Sequence, residues 1–140
     1  MKNLTQFGED LRLQLFRLQA SLDNINRLFA GDANANDAEL AARLEGMHAL
    51  TKEFSERAAK LRDTLQAGIE RDTALAPETL SNWIAKRQTA QLHARADMIE
   101  QLAGVAAELA TLSALEAERI TITAIIARRQ AVAVQVQRDL

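Results

Sequence analysis

The chain has no cysteine, a single proline, a single tryptophan and five scattered glycines in 140 residues. Without cysteine there is no disulfide framework, no thiolate nucleophile, no thiolate-bound zinc and no cysteine-ligated iron–sulfur cluster. So few glycines leave little backbone freedom for a loop that wraps phosphate. Neither a Gly-x-Ser-x-Gly elbow, a Gly-rich phosphate loop nor a dinucleotide fingerprint occurs. Neither sign of charge dominates: 17 basic residues face 19 acidic ones, a net charge of −2, so no overall field draws nucleic acid or anionic lipid. No run approaches the roughly 18 consecutive apolar residues that span a bilayer. The opening stretch Met1–Asp10 lacks the apolar core and small-residue cleavage site of a secretory signal. The expectation is a soluble, cytoplasmic chain without a membrane partner.

What is present favours helix. Of the residues, 48% are hydrophobic, and most of that share is 27 alanines and 20 leucines, with only 4% aromatic. The length suits one domain. Leu11, Leu15, Leu18, Leu22, Ile25 and Phe29 alternate steps of four and three, a heptad seam that predicts a first helix over about 1–30. Leu13 and Phe16 lie off that seam, so the helix is either packed on two sides or offers one side to a partner. Residues 30–37, rich in glycine, asparagine and aspartate, read as a loop. Asn36 with Glu39 fits a capping box, with Asp37 as an alternative cap.

A second seam takes Leu40, Leu44, Met47, Thr51, Phe54, Ala58, Leu61, Leu65 and Gly68 and predicts a helix over 37–70. Its outer face carries Glu53 with Arg57 and Glu56 with Lys60, spaced for helical ion pairs worth about 0.2–0.5 kcal/mol each. The short connection predicts that the first two helices fold back as an antiparallel hairpin. Pro77 and Glu78 open a third helix over 77–110, since proline lacks only an N–H that the first turn leaves unbonded anyway.

Past Leu109 the apolar stripe slips, and Leu112, Leu115, Ile122, Ile126, Ala133 and Val136 fall on an offset line. One long helix with a stammer is one reading. From Glu78 to Arg138 it would measure roughly 90 Å at 1.5 Å per residue and outreach the hairpin. A break near 111–113, where Ser113 and Glu116 match a capping box, is the other reading, with 112–138 as a fourth helix. The tail also alternates with period two and is rich in β-branched residues, so a strand pair is a third possibility. Ala127–Gln130 lacks the glycine or asparagine of a tight hairpin turn, which favours helix. The expected fold class is all-α: an antiparallel bundle or coiled coil of three long helices, or four.

Residues that carry chemistry are sparse. Glu45-x-x-His48 has the spacing of a di-iron bundle ligand pair, but Ala90 stands where a second copy would need its carboxylate before His93. His93 and Asp97, one turn apart, read as a polar pair on a helix flank. No metal, no cofactor, no small-molecule substrate and no enzymatic activity are expected. Lys86-Arg87 and Arg128-Arg129 are adjacent basic pairs without interleaved aromatics, so they read as solvated faces rather than a nucleic-acid surface. Arg119 and Arg129 fall on the apolar stripe of the tail, and each wants a carboxylate, from a partner or from a second copy of the chain. Otherwise their stems lie over apolar neighbours with the heads in water. Trp83 is either a binding anchor or a plug at the end of the core. The candidate partner-binding residues are therefore Leu13, Phe16, Trp83, Arg119, Ile122, Ile126, Arg129 and Val136. The function expected from this pattern is protein interaction, by a small helical adaptor, assembly factor or secretion-type chaperone holding a client segment in a groove between helices. A structural coiled-coil homo-oligomer is the alternative, and a nucleic-acid-associated regulator ranks behind both.

Overall fold

The computed structural model describes residues 4–29 and 36–140, and among them every regular element is a helix. These are α1 (Leu4–Phe29), α2 (Asp37–Thr73), α3 (Pro77–Ala85) and α4 (Thr89–Asp139). At 1.5 Å per residue α4 is about 76 Å long, and it is the spine on which the other three pack. Most of the expected 30–37 loop, residues 30–35, lies outside the described residues.

Asn36 caps α2: its side-chain oxygen accepts the Glu39 backbone N–H at 2.8 Å, and its amide donates to the Glu39 carboxylate at 3.2 Å. Asn36 is thus the cap, rather than Asp37. Pro77 opens α3 as expected. The next break falls at 86–88, a place the apolar periodicity does not mark. Arg87 adopts the left-handed conformation (φ 55°), its N–H bonds to the Ile84 carbonyl at 3.2 Å, and the Gln88 N–H bonds to the Trp83 carbonyl at 2.8 Å. That pair of bonds is a Schellman closure, with arginine where glycine is usual.

From Thr89 onward the helix runs without interruption through 111–113 and through 120–136, so neither the break at Ser113 nor a strand pair forms. Among the described residues there are four helices, but by a break 25 residues earlier. No glycine or proline interrupts the chain at 111–113, and Thr111 returns its hydroxyl to the Ala107 carbonyl, 3.1 Å away, inside the helix. The slip of the apolar stripe has another origin: α4 serves two neighbours, so its inward positions occupy more than one line.

α2 and α4 are antiparallel. Four ion pairs tie rising numbers on α2 to falling numbers on α4: Asp37 with Arg129 (2.7 Å), Arg43 with Glu118 (2.9 Å), Arg57 with Glu108 (2.8 Å) and Asp72 with Arg95 (3.0 Å). Two of the helical pairs expected within α2 are thereby redirected. Arg57 reaches across to Glu108, and Glu56 has Lys52 at 4.0 Å. All nine seam residues of α2 are buried or half-buried, and Gly68 is needed where α4 comes closest: a Cβ there would lie 2.3 Å from the Leu102 side chain.

α1 runs parallel to α4. Its Gln14 amide lies 3.7 Å from the place a Gly104 Cβ would take, which fixes the level of α1. Phe29 must reach Asp37, held at Arg129, within eight residues, at most about 29 Å. An antiparallel α1 would leave Phe29 level with residue 89, about 60 Å from that point. α1 and α2 do not approach each other at the backbone among the described residues, so the expected hairpin pair is instead two helices splayed on a common spine.

The α1 seam is also rotated from its expected position. Phe7, Leu11, Gln14, Leu18, Ser21, Ile25 and Leu28 are the covered positions, and Ser21 is buried, while Leu15 and Leu22 stay 46% and 42% exposed. At 3.6 residues per turn, the covered stripe is turned by roughly 50° from the leucine stripe. On this side α4 presents Glu100, Gln101, Gly104, Val105 and Glu108 to Phe7, Leu11 and Gln14 of α1.

Candidate interaction surface

The seam between α2 and α4 is closed at its ends and open in its middle. Leu40 at one end and Leu61 and Gly68 at the other are buried, whereas Met47, Thr51, Phe54 and Ala58 between them are only half-covered. Two hollows open there on either side of Phe54. One, of about 380 Å³, is lined by Met47, Leu50, Phe54 and Leu115. The other, of about 330 Å³, is lined by Thr51, Phe54, Ala58, Leu112 and Ser113, with Arg62 and Glu116 at its rim. An inward stripe ordinarily loses its water to a neighbour. Here the middle of the stripe has kept it.

Charged groups border this trough. Arg43 bridges both oxygens of Glu118, at 3.0 and 2.9 Å, and Glu118 is buried to 2% exposure, so the arginine supplies the compensation that a buried carboxylate requires. Arg119 donates two hydrogen bonds to Glu116 one turn back. Those bonds, with the positive charge of Arg119 and a smaller contribution from His48, hold the Glu116 carboxyl below the usual carboxylate range against the opposing effect of burial. The same contact raises the Arg119 guanidinium.

The sequence-predicted residues do not form one patch. Leu13 and Phe16 stand exposed on the outer side of α1, Phe16 at 74%. Trp83 is half-buried at the corner of α2, α3 and α4, facing a hollow of about 280 Å³ with Leu75, Ala94 and Met98. Ile122, at 1% exposed, is the most buried side chain of the core, so it is not available to a partner. Ile126 is half-buried and Val136 exposed. Arg119 and Arg129 both find their carboxylate within the chain, on Glu116 and Asp37 respectively, so neither needs one from a partner or a second copy. Missed by the sequence reading were Leu50, Phe54, Leu112 and Leu115 as a joint lining. The available signal was Leu50, an apolar residue placed three after Met47 and four before Phe54 yet off their seam.

Among known proteins, no family model matches the chain, and neither a curated protein nor a solved structure is significantly similar to it. The chemistry must therefore be read from the side chains themselves. His48, Glu45, His93 and Asp97 all lie exposed, and among the described residues no group of three or more His, Asp or Glu is placed to hold a metal ion. The trough presents thioether, aromatic and aliphatic surface together with the hydroxyl residues Thr51, Ser55 and Ser113 and the charged Arg43, Arg62 and Glu116. That lining suits an apolar side chain of another segment.

By length and composition α4 could also cross a membrane, its most apolar 18 residues having a mean hydropathy of 1.2. Of that stretch 11% is buried, and four charged side chains of α4 are engaged in ion pairs with α2.

Proposed function

We propose that the protein is a non-enzymatic, cytoplasmic helical interaction module, an adaptor or chaperone-type protein, whose α2–α4 trough takes an apolar helical segment of a protein client. The observation that supports this reading is the half-covered middle of the α2 seam, with Phe54 between two hollows. A client helix would place apolar residues one and two turns apart against Met47 and Leu50 on one side of Phe54 and Ala58 and Leu112 on the other. The Arg43–Glu118 and Arg119–Glu116 pairs at the rim would orient it, since rim charges set approach and register more than affinity. No membrane, nucleic acid, metal or cofactor enters this reading.

The test is selection of amphipathic helical peptides from a displayed library against the full chain, followed by calorimetric titration. Peptides bound in the trough lose at least tenfold in affinity to the Leu50→Glu chain, and Phe54→Ala weakens them as well. Selected peptides that bind the Leu50→Glu chain as tightly as the parent would refute the assignment.

A further inference from the structure

We infer that α4 pairs antiparallel with α4 of a second copy of the chain, through a face that neither α1 nor α2 covers. This surface borders the α2–α4 trough at Ser113 and otherwise uses other residues, and the inference does not rest on the client-binding reading.

Three observations carry it. The first is area. A compact monomer of 15.4 kDa exposes about 7,200 Å², whereas this chain exposes 10082 Å². The surplus, roughly 2,900 Å² per chain or 5,800 Å² for a pair, exceeds the roughly 2,000–5,000 Å² in total that obligate homodimers commonly remove from water, so such an interface fits within it. Among the described residues the buried apolar core is five side chains, Leu40, Leu61, Ala107, Ala114 and Ile122, which is little to hold a spine of about 76 Å in place.

The second is the uncovered face itself. From Ala96 to Val134 every step of three or four residues in strict alternation lands on an apolar or small side chain, through Ile99, Ala106, Ala117 and Ile120. None of these positions is buried, and Ile120 and Val134 are 53% and 63% exposed. That spacing is the one that packs helix on helix. It is symmetric about residue 115, close to the midpoint of α4: reversing the helix lays position 96 against 134, 99 against 131 and 113 against 117, so the face is complementary to itself when turned end for end.

The third is charge. Between Arg95 and Arg119 α4 carries five acids (Asp97, Glu100, Glu108, Glu116, Glu118) and no base; from Arg119 to Arg138 it carries four arginines and no acid. Glu108, Glu116, Glu118, Arg119 and Arg129 are paired within the chain, so an antiparallel partner sets the remaining Asp97 and Glu100 of each copy toward the half that carries Arg128 and Arg138 of the other, and opposes the two helix dipoles. A parallel partner would align arginine with arginine. The exposed Arg128 of one copy comes level with the stretch between Glu100 and Glu108 of the other.

Light scattering on the eluting full chain tests the pairing. Twice 15.4 kDa is expected at micromolar concentration, falling to a monomer for Ala117→Glu, with helicity by circular dichroism unchanged. Because the chain has no cysteine, orientation is read by single introduced cysteines. Ala103→Cys and Ala127→Cys chains, one carrying a size tag, cross-link to each other on mild oxidation, while Ala127→Cys alone gives no linked pair. A monomer at every concentration overturns the inference, as does a monomer that floats with phosphatidylcholine vesicles, which would assign the face to a bilayer. A dimer indifferent to Ala117→Glu overturns the choice of face, and self-linking of Ala127→Cys overturns the antiparallel arrangement.

Discussion

α1 and α2 both lie along α4, but they are held there by different means. The α2 interface follows the apolar seam written in its sequence, tightens at Gly68, and is pinned by four ion pairs spread over its length. The α1 interface turns its leucine stripe partly away and uses Gln14 and Ser21 against α4. The contrast shows that helix periodicity chooses a face only within the tolerance its neighbour allows. On α2 the approach of Gly68 to Leu102 and the ion pairs set the register; toward α1, α4 presents Glu100, Gln101, Gly104, Val105 and Glu108, and the polar Gln14 and Ser21 take inward places beside the leucines.

The comparison can be broken most decisively at the shared core. Ile122→Ala removes the most buried side chain and is expected to destabilise the fold by about 2–4 kcal/mol, the range for emptying a packed aliphatic site. Urea unfolding checks it, and a loss below 1 kcal/mol would show that the spine is not packed as described. Arg43→Ala comes next. It leaves Glu118 buried without its partner, at a cost of about 1–3 kcal/mol, and the further change Glu118→Leu should recover most of that loss, because an apolar residue there needs no compensation.

The rotation of α1 is sharpened by a pair of substitutions. Leu18→Ala lies on the covered stripe and is expected to cost about 1–2 kcal/mol, whereas Leu15→Ala, three residues away on the exposed side, stays within about 0.5 kcal/mol in the monomer. Equal losses would restore the leucine stripe as the seam. At the α3–α4 break, Arg87→Gly relieves a left-handed residue and should stabilise by about 1 kcal/mol, read as a rise in melting temperature.

The smallest effect is electrostatic. Arg119 holds the Glu116 carboxyl below its usual range, so the contact adds stability above the ordinary glutamate pKa that disappears as pH falls through the depressed value. Melting temperature followed from neutral to acid pH should therefore decline slightly more for the parent than for Arg119→Gln. A steeper decline in the variant would contradict the pairing.

Much of the fold is legible in the residues alone. The α2 seam, the Asn36 cap, the proline start of α3 and the helical state of the tail all follow from spacing and side-chain chemistry that act within a few residues. The α3–α4 break at Arg87 was hidden because it rests on backbone hydrogen bonds closed by an arginine, in a place where glycine would have announced it. The ion pairs of Arg57, Arg119 and Arg129 were open at the sequence level because several carboxylates lie within reach of each.

What the sequence determined by itself is an all-α chain, since alanine and leucine at three-to-four spacing, with almost no proline or glycine, admit little else. Which face of α1 is covered, that α1 and α2 part company on a common spine, and that Phe54 stands over an open trough were decided only in three dimensions. Those outcomes depend on how closely two particular surfaces can approach, a distance set jointly by side chains that lie up to ninety residues apart in the chain.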